Sequence, residues 1–336
     1  MATVEMERAT LMKAAVRRVY GEADVVHVEQ VGRPSIARNE VLVRVHAAGV
    51  DRGVWHLMTG LPYLFRTAGI GVRTPKDPSL GMDLAGVVEA VGGDVTKFRP
   101  GDEVFGVGAG SFAEYARARA DRLAIKPANL TFEEAAAVAV SASTALLAVR
   151  DHGHVQSGQE VLVIGASGGV GSYAVQIAKA FGARVTGVCS PSKLELVRLL
   201  GADAVIDYTQ ADFAAGGKRY DVVIDTGGSS PLPRLRQVLA PRGTLVIVGG
   251  EGGGRWFGGM GRPLRAMVLS TFGPQKMGTF IATQKSDDLH TLKLLIESGK
   301  VKPALERTYD LAEAADAIRH VAEGHARGKV VLKIVA

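Results

Sequence analysis

The chain has 336 residues, 47% hydrophobic and 22% charged, which fits a globular protein with a sizeable core and excludes a fibrous or disordered one. The formal charge is +6, from 40 basic and 34 acidic residues. The densest basic cluster, Lys13 to Arg18, holds only three charges, so the excess reads as a mildly basic surface and no nucleic-acid partner is expected.

One cysteine, Cys189, excludes an intrachain disulfide and a cysteine-rich zinc site, and points to a reducing, cytoplasmic setting. No apolar run reaches the length of a membrane span, so no membrane partner is expected. Residues 1–11, with Glu5 and Glu7, read as an N-terminal extension without the apolar core of a signal peptide.

The first third of the chain predicts short strands. They begin at Lys13 to Val19 and continue at Glu40 to Ala47 and Leu84 to Val91, the latter closed by Gly92-Gly93. Pro100-Gly101-Asp102 signals a turn before Glu103 to Val107, and Ser111 to Ala116 follows. Without a long helix between them, these strands predict a barrel-like β domain. Thr59 to Leu80, with Pro62, Pro75 and Pro78, reads as a long loop of the kind that often carries function.

From Thr131 the pattern turns helical. Thr131-Phe132-Glu133-Glu134 has the form of a capping box ahead of an alanine-rich run, and a second helix is expected over Ser143 to Arg150. Then Val161-Leu162-Val163-Ile164 reads as a buried parallel strand, followed at once by Gly165-Ala166-Ser167-Gly168-Gly169-Val170-Gly171 and a helix ending near Gly182. Strand, glycine turn and helix in this order make a dinucleotide site: glycines let the backbone approach a pyrophosphate, and the helix start offers free N–H groups to the anion. The spacing Ala166-x-Gly168-x-x-Gly171 replaces the first fingerprint glycine with alanine.

Strands at Val185 to Val188, Ala204 to Ile206, Val222 to Ile224 and Thr244 to Val248 alternate with helices at Leu194 to Leu200 and Leu232 to Leu239. That alternation predicts an α/β fold with a doubly wound parallel sheet. Gly249 to Gly261, carrying Arg255 and Trp256, reads either as a linker or as a substrate-facing loop. Helices at Asp287 to Ser298 and Leu311 to Glu323 and a last strand at Lys329 to Val335 complete the chain.

Taken in order, Gly81-Met82-Asp83-Leu84-Ala85-Gly86-Val87-Val88, Pro100 to Val104, Gly165 to Gly171, Leu200-Gly201-Ala202-Asp203 and Gly328-Lys329-Val330-Val331 give the chain its kinship. It resembles the medium-chain dehydrogenase/reductase superfamily, in its zinc-free quinone oxidoreductase branch. The resemblance implies a GroES-like β-barrel domain over 12–138, completed by 283–336, and a Rossmann domain over 139–282. Zinc members carry a cysteine in the segment matching Gly49 to Trp55 and a His-Glu pair after the glycine matching Gly81. Here Asp51 and Met82-Asp83 stand in those places, so no metal is expected.

The resemblance further implies an oxidoreductase that passes hydride from NADPH to a quinone or an α,β-unsaturated carbonyl. A zinc-free alcohol or aldehyde oxidoreductase and a non-catalytic NADPH-binding protein are the alternatives. An NAD-type site places an acid about twenty residues past the glycine turn. Here the second strand ends in Cys189-Ser190-Pro191-Ser192-Lys193, and a hydroxyl with an ammonium suits a 2′-phosphate. By resemblance Ser190, Lys193 and Tyr208 contact that phosphate, Ser167, Gly168, Gly169 and Val170 hold the pyrophosphate, and Thr144 touches the nicotinamide end. Thr226, Val248, Gly249 and Gly250 lie at the carboxyl ends of strands, where ligands bind. Phe280 and Ala282 fall in the segment that runs along the nicotinamide in relatives, and Lys329 is a further cofactor candidate. Asp51, Trp55 and Tyr63 are the candidates for catalysis and for the acceptor wall; many relatives have asparagine at the position of Asp51 and an acid at that of Val54. Relatives are commonly dimers through the Rossmann sheet edge, so a homodimer is expected.

Overall fold

A computed structural model describes residues 11–250, 254–324 and 326–334. The expected N-terminal extension thus lies, but for Leu11, outside the described residues, as do 251–253 of the expected glycine-rich loop.

The chain starts with β1 (Leu11–Arg17) and β2 (Val26–Gly32), paired antiparallel. In β3 (Glu40–Val50), Val41, Val43 and Val45 are buried while the residues between them are half-buried, the period-two burial of a pleated strand. Next comes α1 (Arg52–Thr59), which the strand-rich pattern had hidden. It forms because Asp51 accepts hydrogen bonds from the N–H groups of Gly53 and Val54, and it stops at Gly60 in the left-handed region. The expected loop from Thr59 is partly ordered into a helical turn, Tyr63–Phe65, and a wider one, Arg66–Ile70. Then follow β4 (Asp83–Val91), β5 (Glu103–Val107), β6 (Tyr115–Arg119) and β7 (Leu123–Ile125). Thr131 and Glu134 form the expected capping box at α2 (Phe132–Ala136), and α3 (Ala139–Leu147) begins earlier than its sequence signal.

The dinucleotide-type unit has six parallel strands: β8 (Glu160–Ile164), β9 (Arg184–Cys189), β10 (Ala204–Asp207), β11 (Tyr220–Asp225), β12 (Leu239–Ile247) and β13 (Lys276–Thr279). Their spatial order is β10-β9-β8-β11-β12-β13. The order reverses between β8 and β11, which sets a crevice at the carboxyl ends of those two strands. Connecting helices are α4 (Gly169–Ala180), α5 (Leu194–Leu199), α6 (Leu232–Gln237) and α7 (Gly261–Ser270). The last was not foreseen, because the glycine run that precedes it masks its start. Val161, Leu162, Val163, Val223 and Ile224 are all inaccessible to solvent, as continuous apolar strands covered on both faces must be.

After α8 (Ser286–Glu297), β14 (Leu305–Asp310) and α9 (Ala314–Ala322), the chain ends its described part with β15 (Lys329–Lys333). β15 lies beside β3, Val330 opposite Val50, so the tail completes the seven-stranded sheet that contains β3, β4, β5 and β7. Residue contacts divide the chain into a β unit, comprising the chain up to Val140 with Gln284–Leu294 and the part from Leu305, and a nucleotide-type unit, Ser141–Thr283 with Leu295–Ala304. The assignment of 295–304 differs from the expected boundary at 283. Its cause is local: Gln176 of α4 donates to the Lys302 carbonyl and accepts from the Lys302 N–H.

Candidate active site

The glycine turn after β8 is shaped by steric exclusion. Gly165 has φ +78°, and a Cβ on Gly171 would overlap the Gly165 carbonyl oxygen. Gly165 and Ala166 both donate to the Val188 carbonyl, and Gly168 donates back to Gly165. The turn therefore hugs β9 and delivers Gly168 as the N-cap of α4, whose first N–H groups have no acceptor within the helix. Ser167 is 5% exposed beside them. A narrow backbone cradle with donors and a helix dipole suits a pyrophosphate, so the residues present fit a dinucleotide.

The neighbouring strand ends complete this edge. Thr226 Oγ1 donates to the carbonyls of Ile164 and Gly165, and so ties the end of β11 to the glycine turn. Asp225, fully buried, accepts from the N–H groups of Gly227 and Gly228 through Oδ1 and pairs with Arg262 of α7 through Oδ2. Arg262 also donates to the carbonyls of Ser230 and Gly249. Val248 and Gly249 donate to the Asp225 carbonyl. One guanidinium thus fastens the loops after β11 and β12. The sequence reading missed Asp225 and Arg262, since an acid ending a strand and an arginine opening a helix carry no sign that they meet.

Ser190 follows β9 and Tyr208 follows β10. Asp207 and Cys189 face each other across these strands, and the Tyr208 N–H donates to the Cys189 carbonyl. The Lys193 N–H donates to the Ser190 carbonyl. The structure thus gathers Ser190, Lys193 and Tyr208 at two adjacent strand ends. Asp207 is a carboxylate here that the sequence reading overlooked; Thr209 occupies its Oδ1 with two hydrogen bonds. Burial, with the Asp207 charge adding to it, pushes the Cys189 thiol above its ordinary pKa. Thr144 is half-buried on α3, Ala282 is half-buried beyond β13, and the Phe280 ring stacks on His152 at 4.2 Å between centroids. Gly250 lies against Gly259, where a Cβ would overlap its carbonyl.

In the β unit, Trp55, His56 and Phe65 are brought into one aromatic group. Trp55 meets His56 at 5.0 Å and His56 meets Phe65 at 5.9 Å, both edge-on. Arg52 lies over Trp55 at 4.7 Å and donates to the carbonyls of Val321 and Ala322. Arg66 lies over Tyr63 at 4.7 Å and over Tyr20 at 4.1 Å, while Tyr20 Oη donates to the Gly71 carbonyl. Arg66 is therefore the fastening of the segment after α1.

Asp51 is nearly buried. Its Oδ1 caps α1, and its Oδ2 is buried with no hydrogen-bond partner. Lys329, a cofactor candidate on sequence grounds, is 2% exposed, with its ammonium 3.6 Å from the wholly buried Asp83. Asp83 Oδ1 accepts from the Val140 N–H at 2.7 Å. Burial, reinforced by the Asp51 charge and opposed by Lys329, raises the Asp83 pKa to about 7. Among the described residues no group of three or more His, Cys, Asp or Glu side chains is placed to hold a metal ion. The donor set does not fit a tetrahedral zinc: Asp51 Oδ1 caps α1, Asp83 faces an ammonium, and the one cysteine, Cys189, lies in β9.

Comparison with known proteins agrees with the fold. Residues 37–128 match the alcohol dehydrogenase GroES-like domain family, and residues 200–332 match the zinc-binding dehydrogenase family. The chain is 32% identical to mouse (Mus musculus) NAD(P)H oxidoreductase RTN4IP1, mitochondrial, across 98% of this chain and 90% of that one. It is 33% identical to the Arabidopsis thaliana NADPH-dependent alkenal/one oxidoreductase, chloroplastic, across 96% and 79%. The quinone oxidoreductase structure from Coxiella burnetii superposes with a TM-score of 0.85 at 27% identity, covering 97% of this chain and all of that one.

The chain belongs to the medium-chain dehydrogenase/reductase superfamily, in its quinone oxidoreductase-like branch. It is an oxidoreductase that works on small molecules with a nicotinamide cofactor. No helix among the described residues is long and apolar enough to cross a membrane.

Proposed function

We propose that the chain is a zinc-independent, NADPH-dependent reductase of quinones or α,β-unsaturated carbonyls. The observation that carries the cofactor choice is the gathering of Ser190, Lys193 and Tyr208 at the carboxyl ends of β9 and β10. Two hydroxyls and an ammonium complement the 2′-phosphate that separates NADPH from NADH. Ser167, Gly168, Gly169 and Val170 hold the pyrophosphate, with Thr226, Val248, Gly249 and Gly250 forming the floor of the same edge and Thr144, Phe280 and Ala282 lying toward the nicotinamide. The reduced nicotinamide supplies the hydride. Trp55 and Tyr63 form the wall for a flat, conjugated acceptor, and Asp51 serves the proton. Acceptors already activated by conjugation need no Lewis acid, which agrees with the donor set and with the names of the relatives.

The test is a turnover panel of quinones, enones and aldehydes with NADPH and NADH. NADPH oxidation with quinones or enones supports the reading. Aldehyde-only turnover makes the chain an aldehyde reductase, and tight NADPH binding without turnover makes it a binding protein. Lys193→Glu is expected to raise KM for NADPH at least about tenfold, the scale of one lost charge-assisted contact, and to leave KM for NADH nearly unchanged. Equal effects on both cofactors remove the assignment.

The assembly we propose is a homodimer through the β13 edge. Among the described residues β13 pairs only with β12, and the surface beside it exposes Val268 (59%), Phe272 (83%) and Ile281 (92%). An open strand edge next to such residues is a ready template for a second copy. Sedimentation velocity is expected to show one dimeric species at micromolar concentration; a monomer there refutes the assembly. The lone cysteine, Cys189, supports a cytoplasmic setting, whereas the two relatives named above are mitochondrial and chloroplastic.

A further inference from the structure

The Tyr63 ring is held in place by a cation. Tyr63 opens the helical turn Tyr63–Phe65, which is too short to be stable on its own hydrogen bonds. Arg66 stands three residues on, the spacing that brings two side chains to one face. Its guanidinium carbon lies 4.7 Å from the centre of the Tyr63 ring and 4.1 Å from that of Tyr20. The same side chain donates through Nε to the Gly60 carbonyl at 2.9 Å and through Nη2 to the Thr59 carbonyl at 3.0 Å. Those carbonyls close α1, where acceptors lack partners within the helix and a cation is favoured. Tyr20 is fixed in turn: its Oη lies 2.7 Å from the Gly71 carbonyl and 3.0 Å from that of Ile70. The joint has no slack. A Cβ on Gly60, which has φ +62°, would stand 2.6 Å from Arg66 Nε and 2.6 Å from Tyr20 Cδ1. Thr59 Oγ1 donates to the Trp55 carbonyl and accepts from the Leu61 N–H, so the Trp55 backbone belongs to the same frame.

We propose that Arg66 is the positioning residue of the acceptor wall: it sets the Tyr63 ring at a fixed place beside the end of α1, and so decides how large a flat acceptor the β unit admits. The inference rests on the reductase reading above, in which Trp55 and Tyr63 face the acceptor. Two properties of the guanidinium suit the role. It is a broad, planar cation, so it attracts two rings at once. Its fork of donors reaches two successive carbonyls, which couples the ring to the end of the helix. A neutral amide keeps a donor but attracts neither ring, and an ammonium keeps the charge but loses the fork. Arg66 acts through the Tyr63 ring and needs no contact of its own with the acceptor. The segment does not depend on it alone for anchorage. Arg17, 3% exposed, donates to the carbonyls of Leu57, Asp77 and Ser79, and so ties the far end of the same segment back to α1. What Arg66 adds is the placement of the ring.

The experiment uses the full chain with saturating NADPH and a series of quinones of increasing ring number and enones of increasing length. Arg66→Gln is expected to raise KM for the acceptors about tenfold, the scale of a partly desolvated cation–π contact, with kcat within about twofold of wild type and KM for NADPH unchanged. Discrimination by size should weaken too, so that kcat/KM for the largest and smallest acceptors draw together. Arg66→Lys keeps the charge over the rings and is expected to bring acceptor KM back to within about threefold of wild type. Tyr20→Phe keeps the ring but drops the Oη contacts, and should shift KM in the same sense by less than Arg66→Gln. Circular dichroism checks folding; if Arg66→Gln does not fold, the other two variants decide. Calorimetric titration of the same acceptors into the chain with oxidised cofactor gives Kd without turnover, and Kd should follow the same order. Equal losses of kcat for every acceptor, with acceptor KM and size preference unmoved, make Arg66 structural only and overturn the proposal, as does wild-type behaviour in Arg66→Gln. A wild type that binds acceptors without reducing them sinks the reductase reading instead, and the Kd series then decides the role of Arg66. A wild type that does neither overturns both.

Discussion

Asp225 in the nucleotide-type unit and Asp51 in the β unit, both buried, are held in opposite ways. In the nucleotide-type unit, Asp225 is saturated: Oδ1 takes two N–H groups and Oδ2 takes Arg262. In the β unit, Asp51 Oδ2 is buried without a hydrogen-bond partner, and Asp83 Oδ2 faces the Lys329 ammonium at 3.6 Å. The difference follows from the tasks. Gripping a fixed anion calls for backbone donors that do not move, so the carboxylate that ties down the loops beside the glycine turn is itself fully held. Moving a proton calls for a group with unused capacity, whose two protonation states lie close in free energy.

The sharpest way to break this contrast is to unsatisfy Asp225. Arg262→Gln leaves a wholly buried carboxylate without its counter-charge and frees the Gly249 and Ser230 carbonyls. We expect a loss of about 3–5 kcal/mol, the usual result of removing one partner of a buried pair, measurable as a lower urea midpoint with unchanged slope. Arg262→Lys should recover only part, since an ammonium lacks the planar fork that reaches several acceptors. A midpoint within error of the wild type for Arg262→Gln would show that Asp225 is not held by that pair.

The second prediction concerns the unsaturated side. Burial raises the folded-state pKa of Asp83 to about 7, above its value in the unfolded chain. The folded state therefore binds more protons than the unfolded state between roughly pH 4 and pH 7. The stability from this group is complete below the unfolded pKa and is lost as pH rises through the folded one. Asp83→Asn cannot titrate, so its stability relative to wild type should improve by about 3 kcal/mol between about pH 5 and about pH 8. Urea titrations of both proteins at the two pH values check it, and a constant difference would mean that Asp83 is ionised throughout.

These expectations also mark what the sequence could reveal. The fold was legible because its signals are local. A β-branched run before a glycine turn, strands alternating with helices, and Thr131 three residues ahead of Glu134 each declare themselves within a few residues. The members of the cradle were legible for the same reason, since Gly165 to Gly171 is one turn. Helix α1 was not, because eight residues directly after a strand give little periodicity, and its cap, Asp51, drew notice only as an acid. The pairs that hold the site together lay further from view. Asp83 meets Lys329, and Asp225 meets Arg262, only because strand order brings them together. No spacing rule joins residues so far apart along the chain. The resemblance to relatives marked Lys329 as a cofactor candidate, and nothing in the sequence marked its burial 3.6 Å from Asp83.

The smallest expected effect tests whether the cradle works by shape, as the contrast requires. Gly171 and Gly168 lie in one turn, yet a methyl group would meet different surroundings at each. At Gly171 it would overlap the Gly165 carbonyl oxygen, which is backbone and cannot swing aside; at Gly168 it would stand 3.4 Å from that oxygen, an ordinary contact. Gly168 also has φ −79°, open to any residue. Gly171→Ala should therefore cost about 1–3 kcal/mol, the scale of overpacking, and weaken NADPH binding by at least about tenfold as the turn opens. Gly168→Ala should cost under about 1 kcal/mol, since alanine is only a poorer helix cap than glycine. Fluorescence titration with NADPH and thermal melts of both variants separate the two. Were the variants to weaken binding alike, the turn would be acting through flexibility and not through the fixed geometry of its carbonyls and N–H groups, and the saturated scaffold around Asp225 would have no rigid cradle to support.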